Sequence, residues 1–298
     1  MAKNIERINR LKEMSTPEEI IVSITNKLPS IAKSLISQNI DLSSQINRNF
    51  FENPDDPHEH GPKWHQWGII THTKMSIRAY DQEIPQYFDQ WKVLDKFNLE
   101  TSKKIDGLNR GQLLKIAILF HDLGKFSERK LNYDENNSIS FLFKNHEIAS
   151  GKIIRSPEFS EMLKEEYGLS VSQIEYISEC AELHFELGFM RDKAKKSNLG
   201  YTINFVNSDL FEKCLDEFCL QHPKMQMEMG LLFFVDSLAK TDVRIGARTD
   251  QEIESQNCIV EKLLKKRKLD SNLIESIKQL PINILVIEKY LKRWANIK

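Results

Sequence analysis

The chain has 298 residues, of which 40% are hydrophobic and 29% charged, with a net charge of −1. This length allows one large domain or two modest ones, and the balanced charge gives no electrostatic case for binding duplex nucleic acid. No apolar stretch approaches the length of a membrane span, and the first residues lack the apolar core of a signal peptide. Four cysteines without Cys-x-x-Cys spacing are typical of reduced thiols, so we expect a cytoplasmic location.

The predicted elements are helical throughout, because 11 glycines and 9 prolines are too few for an all-β chain rich in turns. The segment from Thr16 to Glu19 predicts a helix start, with proline at the first position and acidic residues in the first turn. A short helix is expected over 40–50 and a loop over 52–63. We therefore predict an N-terminal helical extension over residues 1–60.

The apolar run 113–120 predicts a buried helix that ends at the pair His121–Asp122. Burying an imidazole next to a carboxylate is costly unless something compensates both groups. A metal ion does so, because neutral histidine nitrogen and carboxylate oxygen are its ordinary ligands. Gly124 is expected to end the helix in a left-handed turn, and Lys125 places a cation beside the pair.

Four more side chains of ligand type lie on apolar helix faces, as judged by spacings of three and four residues: His72, His146, His184 and Asp236. A single histidine on such a face is more often a hydrogen-bonded core residue than a ligand. Asp236, however, ends an apolar run, and carboxylates are rarely buried unpaired. The complete set predicts a metal site.

The last third of the chain is predicted to be helical with one interruption. Ser170 is expected to cap a helix that starts at Val171. The segment 190–208 is polar and irregular, with a short extended piece over 201–206. After Gly246 we expect helical stretches over 251–268, 271–279 and 282–296. Residues 246–298 are therefore predicted to form a C-terminal helical extension packed on a core of residues 61–245.

The order His, His-Asp, His, His, Asp resembles that of the HD-domain superfamily of metal-dependent phosphohydrolases. Local segments agree: His-Thr at 72–73, Leu-Phe-His-Asp-Leu-Gly-Lys at 119–125, and Asn-His-Glu at 145–147 followed by Ala149 and Gly151. The segments at 119–125 and 145–151 are most similar to the HD module of bacterial tRNA nucleotidyltransferases. Here no nucleotidyltransferase domain precedes that module. The resemblance covers roughly 61–245 and implies an all-α HD-domain helical bundle.

The resemblance also implies hydrolysis of a phosphomonoester or phosphodiester, with nucleotides as the favoured substrates. One divalent ion would be held by His72, His121, Asp122 and Asp236. Such an ion activates water and neutralises phosphoryl charge, but the sequence does not distinguish Mn, Fe, Co, Ni, Mg and Zn. A second ion would be bridged by Asp122 and completed by His146 and His184. In a site with one ion, these two histidines would contact phosphate or donate a proton.

Catalysis is assigned to Asp122, Lys125 and His146, and Lys125 is expected to bind a phosphate oxygen as a point charge. Substrate binding is assigned to Lys125, His65, Lys240 and Arg244. Lys240 lies one turn beyond Asp236, and Arg244 two turns beyond it if the helix persists. The open alternative makes these two residues surface cations that pair with Asp242 or Asp250.

The mouth of the pocket is predicted to govern specificity, through Trp64, Trp67, Arg129 and Lys130. His58 and His60 occupy a loop rich in proline and aspartate, which predicts a solvated pair.

Two other functions fit the same ligand order. The diiron oxygenases of this superfamily share it, since iron in a dinuclear site can activate dioxygen. A module that senses a nucleotide without turnover would also keep the pocket. Lys125 suits an anionic substrate and therefore favours hydrolysis. The oligomeric state is not indicated by the sequence.

Overall fold

The computed structural model describes residues 16–60, 65–133, 139–194, 202–221, 223–244, 246–266 and 271–296. The regular secondary structure within these ranges is helical apart from two short antiparallel strand pairs, which confirms the predicted all-α class. No helix in the described ranges has both the length and the apolar character that crossing a membrane requires.

The helices up to the centre of the chain are α1 (Pro17–Asn39), α2 (Gln45–Glu52), α3 (Ile69–Gln82), α4 (Ile84–Gln90), α5 (Leu94–Ser102), α6 (Arg110–Phe120), α7 (Lys125–Glu128) and α8 (His146–Arg155). The later helices are α9 (Pro157–Tyr167), α10 (Val171–Leu183), α11 (Glu186–Ala194), α12 (Ile203–Val206), α13 (Asp209–Cys219), α14 (Gln226–Ala239), α15 (Asp250–Lys266) and α16 (Ser271–Asn296). Strands β1 (Lys104–Ile105) and β2 (Leu108–Asn109) form one hairpin, and β3 (Lys130–Tyr133) and β4 (Ile139–Leu142) form the other.

Two predicted helix starts are confirmed by their caps. The Thr16 hydroxyl accepts a hydrogen bond from the Glu19 amide, and the Glu19 carboxylate accepts one from the Thr16 amide. The Ser170 hydroxyl caps α10 in the same way, through the amide of Gln173. The short helix predicted over 40–50 begins later, at Gln45, because Ser44 is its cap.

The core is centred on the two most apolar helices, α6 and α14. Every side chain of α14 is buried, as are most of those of α6. Helix α3 packs against both, and α10 packs against α6 and α8. At the two ends of the chain, α1 packs on α6 and α7, and α16 packs on α14. The terminal helices thus contribute side chains to the same hydrophobic cluster as the middle of the chain.

The left-handed turn predicted at Gly124 is wrong, because its φ of −61° is right-handed. The glycine is needed for close packing instead. A Cβ at this position would collide with the carbonyl oxygen of His146. The Gly124 amide also donates a hydrogen bond of 2.8 Å to the Ser150 hydroxyl. The missing side chain therefore lets the turn after α6 lie directly on α8.

The extended piece predicted over 201–206 is also wrong, since Ile203–Val206 forms the helix α12. Thr202 caps it, and the distant Asp250 carboxylate accepts hydrogen bonds from the amides of Ile203 and Asn204. This second cap comes from tertiary packing, which local sequence does not reveal. Helix α11 likewise continues to Ala194, inside the segment predicted to be irregular.

The two amphipathic stretches predicted at the C-terminus form one helix, α16, which continues through Pro281. Proline removes one helical hydrogen bond. The apolar face nevertheless stays buried on both sides of it, through Ile277 and Ile282. Packing on α14 accounts for the continuity.

Candidate metal centre

The six predicted ligands come from five parts of the chain and meet around Asp122. His72 lies within α3, the pair His121–Asp122 follows α6, His146 opens α8, His184 follows α10, and Asp236 lies in α14. All of them are buried except His146, which is partly exposed. The apolar faces of these helices position the polar side chains, as the helical spacing predicts.

The four residues predicted to hold the first ion lie together. His72 Nε2 is 3.0 Å from Asp236 Oδ1 and 3.7 Å from Asp122 Oδ2. His121 Nε2 is 3.4 Å from the same Asp122 oxygen. The donor atoms of His72, His121 and Asp122 all lie within 4.8 Å of one another, so this group could hold a metal ion.

A second group forms on the other oxygen of Asp122. His146 Nε2 is 3.3 Å from Asp122 Oδ1, and His184 Nε2 is 3.8 Å from it. These three donors also lie within 4.8 Å of one another and could hold an ion. Asp122 is therefore the residue that the two groups share, one carboxylate oxygen facing each.

The histidine rings are oriented by backbone carbonyls. The Nδ1 atoms of His121, His146 and His184 each lie 2.7 to 2.8 Å from the carbonyl oxygen three residues earlier in the chain. A carbonyl only accepts hydrogen bonds, so these Nδ1 atoms carry a proton, and in the neutral rings of His121 and His184 Nε2 presents a lone pair to the cluster. This is the arrangement in which a protein holds histidine ligands.

The converging lone pairs fit a cation. With Nε2 unprotonated, His121 and His184 point lone pairs at the oxygens of Asp122, which would repel them in an empty site. His121 Nε2 and Asp122 Oδ1 are buried and have no hydrogen-bond partner among the described residues. Orphaned buried polar atoms of this kind are costly. A divalent ion would satisfy both of them.

The charges of the groups also suit a metal. Burial lowers the pKa of His121 and lowers that of His184 to about 3, so both rings are neutral near pH 7. Burial alone would raise the pKa of Asp122, but neighbouring positive charge, including the Lys125 ammonium group, outweighs it and holds this pKa well below its usual range. Asp236 behaves in the same way because of Lys240 and His72. Neutral imidazoles and ionised carboxylates are the forms that bind metal.

The solvated state predicted for His60 is wrong. Its side chain is buried beside the cluster, with Nε2 2.9 Å from Lys125 Nζ and 3.9 Å from Asp122 Oδ2. Two acidic residues anchor the loop that carries His60 to distant parts of the chain. Asp55 accepts hydrogen bonds from the amide and hydroxyl of Thr71, and Glu59 pairs with Arg129. Composition predicted a solvated loop, whereas these long-range contacts fold it over the site. His58 is exposed, as predicted.

His65 was predicted to lie at the mouth of the pocket, but it lies deeper, beside the candidate ligands His72 and Asp236. One of its ring nitrogens lies within 4.8 Å of donor atoms of His72 and Asp236. Its Nδ1 lies 3.2 Å from the carbonyl oxygen of His60, to which it donates. Trp64 lies outside the described residues, and the carbonyl of Trp67 contacts His60.

Both lysines predicted to bind substrate lie beside the cluster. Lys125 Nζ donates a hydrogen bond of 2.7 Å to Asp122 Oδ2. Lys240 Nζ is 3.5 Å from Asp236 Oδ2, rather than paired with Asp242. Burial lowers the pKa of Lys240, and Asp236 opposes this effect.

Arg244 lies elsewhere, contrary to its assignment to substrate binding. Helix α14 ends at Ala239, so the extra turn that would have aimed Arg244 at the site does not form. Its guanidinium instead makes two hydrogen bonds of 2.7 Å to the carboxylate of Glu83. It lines a separate pocket of about 440 Å³. Of the predicted mouth residues, Arg129 is buried against Glu59, and Lys130 is exposed on β3.

A cavity of about 280 Å³ opens onto the cluster. It is lined by His60, His65, Lys125, Phe141, Phe143, His146, His184, Phe185, Arg191, Asp192, Asp236 and Lys240. Sequence reasoning missed Arg191 and the three phenylalanines. Arg191 lies in the segment predicted to be irregular, and only the course of α11 brings its guanidinium over the rings of Phe185 and Phe233.

No family model matches the chain, and no curated protein matches it significantly.

Proposed function

We propose that the protein is a metal-dependent phosphohydrolase that cleaves a phosphomonoester or phosphodiester, with nucleotides as the favoured substrates. The observation that carries this proposal is the position of Lys125. Its ammonium group is buried, contacts the carboxylate shared by the two ligand groups, and lines the cavity. A buried cation at that point suits the non-bridging oxygen of a phosphate whose phosphorus lies at the cluster.

The ligands fall into two sets in this proposal. His72, His121, Asp122 and Asp236 would hold one divalent ion, and Asp122 would share a second with His146 and His184. The bound metal would supply a water of lowered pKa and positive charge for the phosphoryl oxygens. If the site takes a single ion, His146 and His184 are free to contact phosphate. Of the two, His146 is the more exposed and lies better placed to donate a proton to the leaving oxygen.

The remaining lining residues orient the substrate. Lys240 and Arg191 lie on the wall of the cavity near Asp236 and add positive charge there. Phe141 and Phe143, beside or on the β3–β4 hairpin, and Phe185 after α10 offer ring surfaces for an apolar or planar part of the ester. These rings would exclude water from the bound substrate and would contact the part of the ester that carries no charge.

The charge of the cavity separates hydrolysis from oxygenation of a neutral substrate. Lys125, Arg191 and Lys240 line it, and Asp192 is the acidic residue there besides the proposed ligand Asp236. With a divalent ion bound, positive charge is in excess, and a neutral substrate would leave it uncompensated. A phosphate ester would neutralise it. A dinuclear oxygenase and a nucleotide sensor remain the rival functions.

The proposal is tested by loading the purified chain separately with Mn²⁺, Fe²⁺, Co²⁺, Ni²⁺, Zn²⁺ and Mg²⁺. Each form is assayed with nucleoside monophosphates, cyclic nucleotides and generic phosphate esters. We expect phosphate release with at least one metal, and a loss of about a hundredfold in kcat/KM in Lys125→Met. Arg244→Gln, remote from the cavity, is the matched control. Absence of turnover with bound metal confirmed would reject hydrolysis. Oxygen uptake by the iron form would then favour the oxygenase, and nucleotide binding without turnover the sensor.

A further inference from the structure

His60 is held rigidly at the floor of the cavity. It ends the 3₁₀ turn Pro57–His60, and its ring is buried. Its Nδ1 lies 2.9 Å from the carbonyl oxygen of Trp67. On one face the ring stacks on His65, with centroids 3.8 Å apart and planes 10° apart. One hydrogen bond and one stacking contact thus fix both the position and the rotation of the ring.

The contacts of His60 fix which nitrogen carries the proton. The Trp67 carbonyl can only accept, so Nδ1 must donate. The other nitrogen, Nε2, lies 2.9 Å from Lys125 Nζ. An ammonium group can only donate, so Nε2 must be unprotonated and must accept. His60 is therefore a neutral acceptor aimed at a lysine.

Lys125 is consequently held at two points. Its Nζ donates one hydrogen bond to His60 Nε2 and one to Asp122 Oδ2, at 2.9 and 2.7 Å. An ammonium group has three N–H bonds, so the third is left for a ligand in the cavity that Lys125 lines. Without His60, the flexible side chain would keep only its bond to Asp122, and ordering it on binding would cost entropy.

We propose that His60 is a positioning residue that orients the ammonium group of Lys125 toward the phosphate, and that it is not a metal ligand. This inference rests on the proposed function, because it assumes that Lys125 contacts a phosphoryl oxygen. The lone pair of His60 is already used by Lys125. A metal ligand would need that lone pair for the ion, whereas the neutral rings of His121 and His184 direct theirs at Asp122.

The test compares three variants loaded with the same metal. His60→Phe keeps a stacking ring but loses the acceptor. His60→Gln restores an acceptor near the position of Nε2. His58→Gln, an exposed histidine of the same turn, is the matched control. For each we would measure metal stoichiometry, the melting temperature, the affinity for inorganic phosphate by calorimetry, and kcat and KM separately on the best ester.

We expect His60→Phe to keep its metal but to bind phosphate about tenfold more weakly, with a similar rise in KM. His60→Gln should recover most of this loss, and His58→Gln should match the unmodified protein. Because His60 acts through Lys125, the change His60→Phe should have little further effect when Lys125→Met is already present. A purely structural role would instead lower phosphate affinity equally in both backgrounds.

Several outcomes would overturn the inference. Loss of metal by a folded His60→Gln would make His60 a ligand. Unchanged phosphate affinity in His60→Phe, or additive losses in the double variant, would remove its link to Lys125. If His60→Phe does not fold, His60→Leu, which also lacks the acceptor, takes its place in each comparison. The phosphate-binding experiment needs no turnover, so failure of the proposed hydrolysis would be seen separately, as phosphate binding without ester cleavage.

Discussion

At the scale of single residues, Gly124 is the position where a missing side chain matters most for the site. The turn that follows α6 carries His121 and Asp122, and it lies on the first turn of α8, which carries His146. A Cβ on Gly124 would meet the carbonyl oxygen of His146 and the side chain of Ala149. The close approach of these two segments brings His146 Nε2 to 3.3 Å from Asp122 Oδ1.

We therefore expect Gly124→Ala to lower the free energy of unfolding by about 1–3 kcal/mol, because the backbone must move to relieve the overlap. The second ligand group should loosen with it, so metal affinity should fall as well. Denaturant unfolding and metal titration measure the two effects. Gly246→Ala is the control, since a Cβ there meets no described atom within 4 Å and should change stability by less than about 0.5 kcal/mol. Equal stability of the two variants would contradict this prediction.

At the scale of elements, a buried polar network ties together three of the helices that deliver ligands. Arg110 opens α6, Tyr176 lies in α10, and Glu228 lies in the first turn of α14. The Glu228 carboxylate pairs with Arg110 and accepts a hydrogen bond of 2.8 Å from the Tyr176 hydroxyl. The candidate ligands lie at or near the opposite ends of these helices. The network therefore fixes how α6, α10 and α14 are positioned along one another. The candidate ligands that follow or lie in these helices surround Asp122 on the other side of the network.

We expect Arg110→Met to lower the free energy of unfolding by about 3 kcal/mol, because it leaves the Glu228 carboxylate buried without its cation. Replacing both partners by methionine should cost less than the sum of the two single changes, since the charge of Glu228 is then removed with its cation, while Glu100, the other partner of Arg110, keeps its ion pair with Lys103. Chemical denaturation of the four proteins measures this cycle. Lys27→Met, which removes an exposed ion pair with Glu166 outside this network, is the control and should cost less than about 1 kcal/mol. Additive losses would show that the pair does not act as a unit.

At the scale of the whole molecule, the cluster joins segments that are far apart in sequence, from His72 in α3 to Asp236 in α14. Lone pairs and carboxylates converge there in a buried space, so the metal-free fold carries an uncompensated electrostatic cost. An ion that binds the folded chain more tightly than the unfolded chain stabilises the fold by mass action.

We accordingly expect a chelator to lower the melting temperature of the metal-loaded protein by several degrees, and an added divalent ion to restore it. Differential scanning calorimetry with and without EDTA is the measurement. Asp122→Asn removes the charge of the shared carboxylate, so its melting temperature should respond little to either treatment. A melting temperature of the unmodified protein that is indifferent to chelator, after confirmed metal loading, would show that the cluster does not bind the ion tightly.

The sequence by itself determined the helical class and most of the candidate ligands. Helical spacing is a local property, so apolar faces could be read directly, and the polar residues on those faces stood out. His72 and Asp236 were identified on this basis, and the order of the motifs grouped them with His121 and Asp122; contacts of 3.0 to 3.7 Å join the four in the fold. Helix caps such as Thr16 were equally readable, because a cap and its partner are only three residues apart.

Tertiary structure alone decided the surroundings of those ligands. His60 is buried because Asp55 and Glu59 anchor its loop to distant elements, and Arg191 reaches the cavity because of the course of α11. Arg244 does not reach the candidate site, because it pairs with Glu83, a residue far from it in sequence. Gly124 is required for the close contact with the backbone of His146 and not for a left-handed turn. Local spacing specifies which face of a helix is buried, whereas the partner of a loop or a charge depends on which distant segments fold against it.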